Sequence, residues 1–366
     1  MSLHDFQGNY DDGQIGNNPT GGLTLVDSTL YGMTPQGGGY GTIFRIDTDG
    51  ANFRLVHRFG SVAQRDGMAP VRGFLAYDGK ALYGITRGHE AYQRGAIFRI
   101  LPDGSGYRLL HEFNGSSEDG ILVHRGGLTL SGSTLYGASQ FAGSTRAGVV
   151  FRIDTDGNNM KVLYKFLGGA DGDDPTGDLT LLDGILYGMT SSGGGMGAGT
   201  IFRIGINGGG YQVLHRFLNG ADDGARPMGG LTVVDNRLYG MASLGGGKTA
   251  GEFDGVIFRV DLDGKNFKVI HRFALCTGGP EGTLVHRGST LYGATCGADG
   301  VVFSISTDGT GYRVLHLFQN NYSPNRLGRL TLVGDYLYGM NNIGGNEGRG
   351  LIFVLPIGAD GNRASK

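Results

Sequence analysis

Short apolar runs of three to six residues, separated by turns rich in glycine and aspartate, recur from one end of the chain to the other. Leu23-Thr24-Leu25-Val26 is followed by Asp27-Ser28 and then by Leu30-Tyr31-Gly32. A glycine-rich stretch leads on to Ile43-Phe44-Arg45-Ile46, to Asp47-Thr48-Asp49-Gly50, and to Leu55-Val56-His57-Arg58-Phe59. Each run has strand length and is rich in β-branched and aromatic residues, and Asp27-Ser28 and Asp49-Gly50 mark tight hairpins. The pattern predicts four antiparallel strands per unit, A to D. Strand C carries apolar residues at consecutive positions, which suits a strand covered on both faces. Helical periodicity is absent.

The word Leu-Tyr-Gly dates the repeat. Its tyrosines are Tyr31, Tyr83, Tyr136, Tyr187, Tyr239, Tyr292 and Tyr338, spaced by 52, 53, 51, 52, 53 and 46 residues. Seven four-stranded units of this length predict an all-β fold, a seven-bladed β-propeller. The ends predict how it closes. The last unit stops after strand C (Ile352-Phe353-Val354-Leu355), and the chain begins with an unattached strand D, Leu3 to Phe6. Pairing residues 3–6 with the C-terminal blade at 329–355 removes the open edges of an unclosed ring. Length alone would suggest two domains, but the closed ring makes 1–366 one.

Composition narrows the classes. The 366 residues carry a net charge of −2, so no nucleic-acid partner is expected. No apolar run approaches the ~20 residues that span a membrane. The 73 glycines follow no Gly-X-Y period, and 39% apolar content is too high for a disordered chain. There is no tryptophan, which excludes a Trp-Asp repeat and leaves the Gly-Gly pair before strand A without the tryptophan of kelch.

The combined pattern is Pro-x-Gly-Gly-Leu, Leu-Tyr-Gly-x-Thr, a Gly-Gly loop, Gly-Thr-Ile-Phe and Leu-His-x-Phe. It resembles the GloVer tandem repeat of bacterial "choice-of-anchor" proteins over nearly the whole chain. That resemblance implies a propeller-like, usually exported protein and brings neither a reaction nor catalytic residues. The chain departs from it in showing no signal peptide, since Leu3-His4-Asp5-Phe6 already belongs to a repeat, and no anchor segment. Export, and a cytosolic location if Met1 is the native start, stand as alternatives.

In such a blade the A–B and C–D turns share one face and are short, while the longer B–C and D–A loops share the other, where binding is expected. The seven units also serve as an internal alignment. Positions shared by most units read as structural, and positions where one unit departs read as functional. The strand D histidines (His4, His57, His111, His215, His271, His316, with Tyr164 in the remaining unit) therefore read as packing residues, as do the strand C arginines such as Arg45 and Arg152. Asp-Gly words recur in the D–A loops. Asp171, Asp173 and Asp174 raise calcium as an alternative, but their spacing is not that of an EF-hand. No cofactor or metal is expected.

The departures are fewer. A proline lies four residues before strand A in five units (Pro19, Pro70, Pro175, Pro227, Pro280), whereas units three and seven have His124 and Arg326. The Gly-Gly pair gives way to Arg72, Asp178 and Arg329 in units two, four and seven. The B–C loop of unit two holds Arg87, His89 and Tyr92, that of unit three Arg146, and that of unit seven Asn341 and Asn342. In a closed ring units seven, one, two and three are consecutive, so these residues predict an anionic-ligand site at the channel mouth. Arginine's planar fork suits carboxylates, sulfates and phosphates.

Three functions remain open. One is binding of an anionic, carbohydrate ligand by a monomer. Another is β-elimination on an acidic saccharide, with arginine neutralising the uronate, His124 or His89 taking the proton and Tyr92 protonating the leaving oxygen. The last is a protein–protein scaffold, for which glycine-rich loops offer few anchors. Cys276 and Cys296 are the chain's two cysteines. Both lie in loops on the same face of unit six, and a disulfide and two free thiols are alternatives there.

Overall fold

The computed structural model is an all-β, seven-bladed propeller. It describes residues 1–7, 16–37, 39–60, 68–70, 73–87, 95–114, 119, 126–140, 147–220, 222–245, 255–273, 279–297, 299–319 and 325–358. Every regular element among them is a strand. Blade 1 runs in chain order from the channel outward: A is Thr24–Val26, B is Thr29–Thr34, C is Thr42–Asp47 and D is Arg54–Arg58. The other blades follow the same order, except that strand A of blade 2 is split into Met68–Pro70 and Ala76–Tyr77. Blade 7 takes its strand D from the N-terminus, where Ser2–Asp5 pairs antiparallel with Leu351–Pro356. The closure expected from the chain ends is thus the one observed.

The repeat words become packing devices. The glycine of Leu-Tyr-Gly lies beneath the phenylalanine of strand C. A Cβ on Gly188 would sit 2.5 Å from Cζ of Phe202, and the other six glycines meet their phenylalanines in the same way. Each outer strand carries one extra residue just before its histidine or tyrosine. In blade 1, Ile43 pairs with His57 and Phe44 with Leu55, so Val56 forms a bulge. The apolar core lies between blades. Seven clusters fill the seven interfaces, and the closing one joins Phe6, Tyr338, Met340 and Ile352 of blade 7 to Leu23, Leu30 and Phe44 of blade 1.

Polar staples complement this core. Inner-strand threonines donate across five interfaces: Thr24 to the Leu75 carbonyl at 2.6 Å, Thr129 to Leu179 at 2.5 Å, Thr180 to Leu231, Thr232 to Leu284 and Thr331 to Leu23, each at 2.6 Å. The recurrent prolines seat on the glycine before strand C of the preceding blade, as Pro175 does on Gly148. The strand D ring stacks on an aromatic residue of the next blade, His215 on Phe267 at 3.7 Å and His57 on Tyr107 at 4.1 Å.

Two interfaces each lack more than one of these staples. Between blades 2 and 3, Ala76 and Met160 replace the threonine and the aromatic residue. Between blades 6 and 7, Val285 and Arg326 replace the threonine and the proline. There Arg287 pairs with Asp335 at 2.6 Å, and Gly297 and Asn325 form a backbone bridge.

Candidate functional site

The site is built on the residue immediately before the first leucine of each inner strand. In blade order this ring reads Gly22, Phe74, Gly127, Asp178, Gly230, Thr283 and Arg329. The neighbouring backbones crowd so closely that a Cβ on Gly177 would overlap the Gly229 carbonyl of the next blade. Glycine is therefore required next to the ring, and a side chain on the ring itself points toward the axis.

The ring corrects the alignment of unit two. Counting from its proline makes Phe74 the first residue of strand A. In the fold, Leu75 is the counterpart of Leu23: it receives the Thr24 hydroxyl, and it lies below Gly84 as Leu23 lies below Gly32. Unit two therefore has one extra residue after Pro70, and Phe74 belongs to the channel mouth. Counting back seven residues from Leu-Tyr-Gly would have placed it correctly.

Arg329 reaches across the mouth from blade 7 to blade 4. Its Nη1 donates to Asp178 Oδ2 at 3.2 Å, and its guanidinium carbon lies 4.4 Å over the ring centroid of Phe74 in blade 2. Asp178 Oδ1 accepts the Gly127 N–H of blade 3 at 2.5 Å. Thr283 accepts the Gly230 N–H at 2.7 Å in the same manner. One ion pair, a cation–π contact and two backbone caps thus engage six of the seven blades around the axis. The Arg329 side chain is still 34% exposed against 12% for Asp178, so part of its fork faces solvent.

Above this bridge the mouth narrows to a cavity of about 50 Å³ bordered by Arg326, Glu281 and Met228. Below it the channel opens to about 770 Å³ between the inner strands.

The other expected residues fall into three groups. Arg326 is half-buried at the mouth, where five other blades have a seated proline. Asn341 is the last residue of strand B rather than a loop residue. Its carboxamide is buried and donates to Asn325 Oδ1 at 2.8 Å. Asn342 Oδ1 accepts the Arg326 N–H at 2.6 Å. These two asparagines hold the segment that carries Arg326 and make no contact with the bridge. Arg87 ends strand B of blade 2 and is exposed. Arg72, His89, Tyr92, His124, Arg146 and Cys276 lie outside the described residues. Cys296 is buried, with Sγ 3.9 Å from the Leu327 carbonyl it donates to.

In three blades the strand D ring and the following D–A aspartate form one device. His215 Nε2 donates to Asp223 Oδ1 at 2.7 Å while Asp223 Oδ2 accepts the Leu218 N–H at 2.6 Å. His111 and Asp119 repeat the pair at 2.5 Å. Tyr164 donates to Asp171 at 3.1 Å, and burial together with that hydrogen bond pushes its hydroxyl pKa up to about 12. Asp171 is therefore occupied in fixing a turn. Among the described residues no group of three or more His, Cys, Asp or Glu side chains is arranged to hold a metal ion.

A seven-bladed propeller whose inner ring holds three glycines together with one arginine, one aspartate, one phenylalanine and one threonine defines the class. Within that class the chain belongs to the Gloeobacter/Verrucomicrobia repeat family, whose model matches residues 1–122 and 39–254. No curated protein matches it. Among solved structures, an oligogalacturonate lyase in complex with manganese is 10% identical, with 94% of this chain and 90% of that one covered and a TM-score of 0.61. An oligogalacturonate lyase from Vibrio parahaemolyticus is 9% identical over the same shares, with a TM-score of 0.62. A prolyl endopeptidase structure is 11% identical, with 93% of this chain but 50% of that chain covered and a TM-score of 0.54. At these identities the likeness is one of fold.

Proposed function

We propose that the protein binds an anionic saccharide at the channel mouth on the long-loop face, with Arg326 and Arg329 meeting the acidic group. The observation that carries this reading is the guanidinium of Arg329, held over Phe74 and committed through one N–H to Asp178. Arginine has five donors in a planar fork, so a ligand carboxylate arriving from solvent competes with Asp178 for a cation already positioned on the axis. Phe74 lies beneath the guanidinium and helps to fix where it sits. Arg326 adds a second positive charge on the same blade, on a segment that Asn341 and Asn342 hold in place.

The oligogalacturonate lyases that share the fold act, by name, on an oligomer of an acidic sugar, which makes oligogalacturonate the first ligand to assay. Isothermal titration with trigalacturonate should give binding that weakens as salt rises and drops at least tenfold in Arg326→Ala/Arg329→Ala. Equal affinity in that variant removes the site from the mouth. The lyase reading is tested in the same samples. Unsaturated-uronate absorbance that appears with the wild type, with or without manganese or calcium, and is lost on replacing His124, His89 or Tyr92 would make the protein an enzyme. Silence leaves it a binding module.

A further inference from the structure

We infer that the central channel is a second binding site, for a neutral polyhydroxylated chain that enters from the face of the short A–B turns. At about 770 Å³ the channel lies within the roughly 300–1,000 Å³ typical of ligand pockets. It is blind at the long-loop end, where the Arg329–Asp178 pair and Phe74 fill the axis. A ligand must therefore come from the opposite face.

The wall defines its chemistry. Five inner-strand threonines line the channel, and each has spent its only proton on a leucine carbonyl of the next blade. A hydroxyl has one donor and two lone pairs, so each Oγ1 has only acceptor capacity left. Leu25, Leu130 and Leu332 alternate with them as partly buried apolar surface. A ligand suited to this wall donates hydrogen bonds and carries apolar C–H faces between its donors, as a neutral sugar chain does. A carboxylate brings only acceptors, and the five threonine hydroxyls have no proton left to offer it. An ammonium ligand needs a counter-charge, and Asp178, the carboxylate at the channel's end, is already held by Arg329 and the Gly127 N–H. The channel and the mouth therefore select opposite chemistries.

Maltotriose and its permethylated derivative, which keeps the shape but has lost every donor, test the inference on the full chain by calorimetry or saturation-transfer NMR. Maltotriose should bind at millimolar concentration and the permethylated form should not. Thr129→Val/Thr180→Val should weaken maltotriose by about three- to tenfold per acceptor lost, while Thr180→Ser, which restores the hydroxyl, should recover binding. Melting curves establish that each variant is folded, and the permethylated comparison on the wild type needs no variant. Absence of maltotriose binding, equal binding of the permethylated form, or valine variants that bind like the wild type would each overturn the inference. Maltotriose is uncharged, so its failure leaves the trigalacturonate titration unaffected, and the reverse holds too.

Discussion

Replacing Asp178 should cost the ring stability in a way that can be apportioned. In Asp178→Ala the Gly127 N–H loses its acceptor, which costs about 1–3 kcal/mol for a group away from solvent. The pair with Arg329 is also lost. Its partners are 34% and 12% exposed, which places it near the top of the range for solvent-screened pairs, about 1 kcal/mol. The sum is about 2–4 kcal/mol. At about 2.1 cal/mol/K per residue, the 366-residue chain unfolds with an entropy of about 0.8 kcal/mol/K, so the melting temperature should fall by about 3–5 °C.

Asp178→Asn keeps an acceptor for Gly127 and loses only the charge, so about 1 °C is expected of it. A double-mutant cycle with Arg329→Ala should give a coupling of about 1 kcal/mol that shrinks in high salt. The same change releases the arginine fork, so Asp178→Asn should bind trigalacturonate more tightly than wild type, by about fivefold for a competitor worth 1 kcal/mol. Calorimetric melts of the four proteins at two salt concentrations suffice. Zero coupling, or an Asp178→Ala melt within error of wild type, would refute a bridge across the channel.

Three further outcomes follow from the packing. Gly188→Ala places a methyl 2.5 Å from Phe202 and should destabilise by about 1–3 kcal/mol, as measured by urea unfolding. Phe6→Ala opens the closing interface, where Phe6 is fully buried. It should cost about 3–5 kcal/mol and make the N-terminal strand the first segment to exchange amide hydrogens. Burial holds His4 and His271 below their ordinary pKa of 6.5, so the fold favours the neutral rings and the unfolded chain takes up their protons first. Stability should therefore be full above about pH 6.5 and decline as pH falls through the folded pKa values, and His271→Phe should flatten that acid limb in melts across the range.

Much of the fold is written locally and so could be read from the chain. A glycine beneath a phenylalanine, an Asp-Gly turn and a bulge before each histidine involve residues a few positions apart or one repeat apart, and seven copies make the pattern plain. Closure was legible for the same reason, because Leu3 to Phe6 is recognisably a strand D without a blade.

The site was legible only in part. Arg326 and Arg329 stood out as departures, and Asp178 did too, but ordering the units around the ring put Asp178 outside the arc of units seven, one, two and three. An inner ring is narrow, and a side chain as long as arginine crosses it, so opposite blades meet at the axis although they are remote along the circumference. Phe74 was hidden by a single extra residue after Pro70, which shifts a register counted from the proline but not one counted from Leu-Tyr-Gly. Asn341 misled for another reason. Its type suggests a ligand contact, yet the end of strand B buries it against Asn325, where a polar group must find a partner.

A crystal structure of the protein with trigalacturonate bound would decide whether the mouth is the binding site. A uronate carboxylate should lie at the long-loop mouth, against the guanidinium groups of Arg329 and Arg326, with the Asp178 pair lengthened or broken. A ligand on the outer strands, or a mouth unchanged with the Arg329–Asp178 pair intact, would contradict that placement.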